Sequence, residues 1–160
     1  MSYKCRICNC NSFTTVFNFG MMPVANNLKL KSKKNNGNDK KYPLKIILCK
    51  KCFLLQTEDH VSVKEIFHSD YKFFSQYSST WVKHAEIFKE KIYKNYLNKK
   101  NVNVICEIAS NDGVFLDKFN NNKNIVYGIE PTKNTAELAR KKGLKIYNKF
   151  FSNKFARGLV

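Results

Sequence analysis

Turn-forming residues are scarce in this sequence: glycine and proline number only 6 and 3 among 160 residues. That excludes collagen-like, linker-like and low-complexity chains. Long apolar runs are lacking too, since the longest, such as Ile46-Ile47-Leu48-Cys49, is four residues, against the ~18–20 that a membrane-spanning helix needs. No apolar stretch follows Met1-Ser2-Tyr3-Lys4-Cys5-Arg6, so a secretory signal is not expected. The composition, 43% hydrophobic and 26% charged, is that of a folded cytoplasmic chain with one or two small cores and no membrane partner.

Acidic residues are few, 12 against 29 basic, for a net charge of +17. Arginine is scarcer still, 3 of those 29. Recognition of nucleic acid draws on clustered cations and on the bidentate guanidinium. Here the excess is spread along the chain: 11 − 3 = +8 over 1–60, 8 − 4 = +4 over 61–100 and 10 − 5 = +5 over 101–160. Twenty Asn accompany the 26 Lys, which reads as solvated positions filled by an A/T-rich genome. No specific nucleic-acid partner is expected.

Cysteine is well represented, with six residues. A cytosolic compartment keeps thiols reduced, so metal is a better first reading than disulfides. Cys5-x-x-Cys8 and Cys49-x-x-Cys52 stand 40 residues apart, beyond the usual spacing of about 15–20. The run from Lys31 to Lys41, which has no apolar side chain, accounts for the surplus. Two residues between cysteines let a tight turn aim both thiolates at one ion, and two such turns make a closed S₄ set suited to structural Zn²⁺. Iron, or four reduced core cysteines, are the alternatives. Cys10 reads as a spare thiol, Cys106 as a core residue in mid-strand, and His60, His68 and His84 as surface or helix-face histidines without ligand spacing.

Aromatic and β-branched residues over 12–19 and 42–48 predict two strands, and with the cysteines a zinc-ribbon-like module over 1–66. Trp81, Ala85, Phe88, Ile92 and Tyr96 recur at helical steps, which predicts an amphipathic helix of about 17 residues. Ser79 or Thr80 would cap its start and 98–101 would end it. This helix and the aromatic stretch before it form a connecting region, 67–100. From 101 to 160 strands and helices alternate: 102–109, 113–119, 125–129, 133–142 closed by Gly143, then 144–147. Such alternation predicts a parallel sheet with right-handed crossovers, the Rossmann-like form of α/β fold. Glu107-Ile108-Ala109-Ser110-Asn111-Asp112-Gly113 falls where the first of these strands hands over to a helix, the place where open α/β sheets bind ligands. Glu130 ends the next strand, 23 residues after Glu107, where a carboxylate can accept hydrogen bonds from ribose hydroxyls.

Taken in order, the two Cys-x-x-Cys pairs, Tyr71 to Ala85, Glu107 to Gly113 and Gly128 to Ala136 resemble the zinc-containing sugar C-methyltransferases that depend on S-adenosyl-L-methionine. The resemblance covers the whole chain. It implies a zinc-binding N-terminal module, a class I methyltransferase core and a nucleotide-linked keto-deoxysugar as acceptor, deprotonated beside its ketone before the methyl is transferred. It further implies that Glu107, Ala109, Ser110, Asn111 and Gly113 belong to the cofactor loop, that Glu130 anchors the ribose, and that Tyr77, Ser78 and Ser79 lie in a segment closing over the cofactor. Ala109 stands where the family commonly has glycine. The family sheet has seven strands in the order 3-2-1-4-5-7-6, and three are legible here, so the class I sheet is expected to be incomplete. The catalytic residues, a proton-transfer His and Tyr among them, are expected beyond residue 160. The chain is then expected to be inactive alone and to partner a chain carrying the remaining half. The alternative is a non-catalytic zinc-binding assembly or carrier-recognition module.

Overall fold

The computed structural model describes residues 3–28, 39–97 and 102–159. Most of the Lys/Asn-rich run and the expected stop of the long helix at 98–101 lie outside them. Two compact units divide between Ile66 and Phe67. No helix among the described residues is long and apolar enough to cross a membrane.

The first unit is a three-stranded antiparallel sheet, β1 (Phe13–Pro23), β2 (Lys41–Cys49) and β3 (Leu55–Thr57), in that spatial order. A one-turn helix, α1 (Val63–Ile66), follows. Pairing of β1 with β2 runs from Phe13↔Cys49 to Pro23↔Lys41, with register shifts between Thr15 and Phe17 and between Asn18 and Met21. Aromatic and β-branched residues favour this pleated ladder, yet little of their surface is covered. Among the described residues the buried apolar side chains of this unit are Cys5, Ile47 and Cys49. So small a core does not hold a domain of this size without a staple or a metal.

The second unit holds a parallel sheet in the order β4 (Asn103–Ile108), β5 (Asn124–Ile129), β6 (Lys145–Tyr147). Helix α2 (Ser79–Asn95) precedes it, α3 (Val114–Asp117) and α4 (Lys133–Lys141) make the crossovers, and α5 (Asn153–Arg157) follows. The core is Leu116, Phe119, Val126, Ala136, Ala139, Leu144 and Ile146, with Ile92, Tyr93, Leu97 and Ile105 packed on it. α4 buries Thr135, Ala136 and Ala139, small residues at helical spacing that let its backbone lie close to the sheet. The N-cap of α2 is Ser78, whose hydroxyl accepts the Trp81 N–H, one residue ahead of the expected pair.

β4 differs from expectation in its cover. Its burial alternates, and Val104, Cys106 and Ile108 are the exposed set, Val104 at 64%. Cys106 is therefore a surface thiol and not a core residue. Cover on both faces was expected; which face is covered depends on what packs there, and among the described residues β4 pairs on one side only.

Candidate metal centre and cofactor loop

The two cysteine knuckles are near copies of each other. Asn9 N–H donates to Cys5 O and Phe53 N–H to Cys49 O, both at 3.0 Å, while Cys5 N–H reaches Cys10 O and Cys49 N–H reaches Leu54 O. The residue after each second cysteine is left-handed, Asn9 at φ 56° and Phe53 at φ 58°. Asn tolerates that region; for a phenylalanine it costs about 1–2 kcal/mol.

This backbone brings the Sγ atoms of Cys5, Cys8, Cys49 and Cys52 within 4.8 Å of one another. Cys5–Cys52 and Cys8–Cys49 are each 3.5 Å apart. A tetrahedral ion with bonds of about 2.3 Å requires sulfurs about 3.8 Å apart, so the cluster fits Zn²⁺. Backbone N–H groups of Cys8 and Ile7 and the Gln56 amide pull the Cys5 thiol down to about 6. The Cys52 N–H pulls Cys49 down likewise. Cys52 receives the Leu54 N–H, yet burial and the three neighbouring thiols push it up to about 12. Four crowded thiols cannot all ionise unaided, and a divalent cation supplies the missing charge. Cys10 lies outside this cluster, against Ser12.

Gln56 belongs to the site although nothing in the sequence marks it. It is buried, donates to Cys5 Sγ at 3.4 Å and accepts from Tyr3 Oη and the Arg6 N–H. Such an outer partner orients the sulfur.

In the second unit the turn after β4 is wound tightly. Ala109, Asn111 and Gly113 have φ of 59°, 50° and 79°. Ala109 thus occupies a left-handed conformation that glycine takes at little cost. A Cβ on Gly113 would lie 2.4 Å from Leu144 Cδ1 and 3.2 Å from Ala139 Cβ, so this glycine also permits close packing of α4. The Ala109 and Ser110 N–H groups both donate to Ile129 O, which sets this turn beside the end of β5.

Glu130 sits at that end, 4% exposed. Its Oε2 accepts the Asn111 N–H at 2.8 Å, and its Oε1 accepts the Thr132 N–H at 2.8 Å and the Thr132 hydroxyl. Glu107 lies beneath the same turn with Oε2 buried and unpartnered. Burial pushes its carboxyl up to about 7, against the Leu116 N–H, with Asp112 and Glu130 adding to the rise. The Tyr/Ser segment reaches the turn as well: Ser75 and Gln76 N–H donate to Asn111 Oδ1 and Asp112 Oδ2. Tyr77, Ser78 and Ser79 are exposed, Tyr77 at 79%. A cavity of about 660 Å³ opens along β4, with Trp81, Phe88 and Phe115 on its apolar side and Glu107, Ser110 and Asn111 on its polar side.

A family model described as a zinc binding domain of methyltransferases matches residues 5–67. C-methyltransferase NovU of Streptomyces niveus is 25% identical over 142 residues, 89% of this chain and 33% of that protein. The chain therefore spans a third of the length of this curated relative. The four-cysteine cluster lies within the matched zinc-binding domain, and the similarity to a C-methyltransferase extends well past that domain, in keeping with the resemblance to the zinc-containing methyltransferases.

Proposed function

We propose that the chain is the N-terminal portion of an S-adenosyl-L-methionine-dependent C-methyltransferase acting on a nucleotide-linked keto-deoxysugar in the cytoplasm. The observation that carries this is the meeting of Glu107, the 109–113 turn and Glu130 at the carboxyl ends of adjacent parallel strands, beside an open cavity. That is the ligand crevice of open α/β sheets. The cofactor would supply an electrophilic methyl group. Ala109, Ser110 and Gly113 let its methionine end approach the backbone, Glu130 receives a ribose hydroxyl on the one lone pair that its three hydrogen bonds leave free, and Tyr77 to Ser79 form the cover. The apolar wall of the cavity excludes water from the methyl.

Among the described residues lining this cavity there is no histidine or tyrosine. Among the described residues the outer edge of β4 has no partner strand, and an open edge of this kind calls for a further strand. We therefore place the acceptor pocket and the catalytic base on additional polypeptide. Calorimetric titration of the chain with S-adenosyl-L-methionine, and a labelled-methyl assay with a nucleotide-linked keto-deoxysugar, test both parts. Weak saturable binding without methyl transfer is expected. No binding at millimolar cofactor would refute the cofactor site, and turnover would refute inactivity.

A further inference from the structure

The Tyr/Ser segment is tied down by side chains from another part of the second unit. Asn111 Oδ1 accepts the Ser75 N–H at 3.2 Å and the Asp112 N–H at 2.9 Å, and Asn111 Nδ2 donates to Phe73 O at 3.1 Å. Asp112 Oδ2 accepts the Gln76 N–H at 2.9 Å, and Asn134 Nδ2 donates to Tyr71 O at 2.6 Å. Four hydrogen bonds thus span 36 to 63 positions of sequence. Asp112 is wholly buried, and its second oxygen has no partner. Burying a carboxylate with so little compensation is expensive, and sites kept at such a cost are commonly functional.

Of the Asn111 side chain, only the second Nδ2 hydrogen is left over. Its Oδ1 serves two N–H groups, its Nδ2 serves Phe73, and its own N–H goes to Glu130 Oε2.

We propose that Asn111 and Asp112 are positioning residues that clasp the 73–77 segment onto the turn after β4, so that Tyr77 and the cofactor loop are ordered together and cofactor affinity depends on the clasp. Asn111 then acts through the segment in place of touching the cofactor. The affinity part rests on the proposed methyltransferase reading; the clasp itself does not.

Asn111→Gly is the informative variant, because glycine keeps the left-handed backbone at φ 50° while deleting the side chain. Asn111→Asp keeps the oxygen that accepts from Ser75 and loses the donor to Phe73. Amide exchange of the full chain by NMR reads the outcome, with β5 amides as the internal reference. In Asn111→Gly the Ser75 amide should exchange on the order of tenfold faster relative to β5, the equivalent of one or two lost hydrogen bonds. Trp81, the sole tryptophan, should emit at longer wavelength, and calorimetric S-adenosyl-L-methionine affinity should fall by a similar factor. Asn111→Asp should restore Ser75 protection. Unchanged Ser75 exchange, or acceleration of all amides in proportion, overturns the clasp. Faster exchange with unchanged affinity overturns its link to the cofactor. Wild-type chain that binds no cofactor overturns the methyltransferase reading and the affinity claim, while the exchange data still decide the clasp.

Discussion

Replacing Glu107 by Gln isolates the cost of a carboxylate held where it does not ionise readily. Its pKa is raised from 4.5 to about 7, chiefly by burial. Between those values the folded state holds a proton that the unfolded chain has released, so stability falls as pH rises from about 4.5 to about 7 and levels off above. The difference corresponds to at most about 3 kcal/mol at pH 8. Glutamine fills the same space, can still accept the Leu116 N–H, and does not titrate. The variant should match wild type near pH 4.5 and exceed it by about 2 kcal/mol at pH 8. Urea denaturation followed by Trp81 fluorescence reports the second unit, which contains that residue. A wild-type stability that is flat or rises between pH 5 and 8, or an identical slope in the variant, would refute the assignment of the raised carboxyl to Glu107.

Two further outcomes concern the metal and the left-handed positions. Purified without chelator, the chain should carry one zinc, and its removal should unfold the first unit, since such sites contribute on the order of 10 kcal/mol; elemental analysis below half an equivalent refutes this, and Cys10→Ser should leave the content unchanged. Phe53→Gly should stabilise the first unit by about 1 kcal/mol, because the ring is 72% exposed and the strain at φ 58° is relieved. Gly113→Ala should cost about 2–4 kcal/mol through its φ and the approach of Leu144 and Ala139. Thermal melts that reverse either sign contradict the backbone argument.

Features of short range were legible in the sequence. The cysteine pairs, the helical recurrence from Trp81 to Ile92 and the strand–helix alternation after 101 each follow from local periodicity or turn chemistry. Side chains that bond to distant backbone carry no such period. Asn111 reads as a cofactor-loop residue and Asp112 as an ordinary turn residue, and nothing near them announces Ser75 or Gln76, 36 positions earlier. Gln56 reads as one polar residue of a strand, yet it faces Cys5. Cys106 was misplaced because it shares the apolar face of its strand with Val104 and Ile108, and that face is the exposed one. Phe53 and Ala109 adopt backbone angles that their side chains give no reason to expect.

The 40 residues between the knuckles measure something other than coordination. β1 leaves the metal end at Phe13, opposite Cys49, and the pairing runs to Pro23 opposite Lys41, a ribbon about 30 Å long at ~3.3 Å per residue. Sequence inserted between Pro23 and Lys41 enters at those far ends, away from the sulfurs. Its length is free to vary among homologous chains without moving a ligand, and it is a natural point for grafting a tag or an epitope. A zinc search that fixes the inter-knuckle distance would pass over proteins built this way; one that fixes each Cys-x-x-Cys turn and the left-handed residue after it would find them.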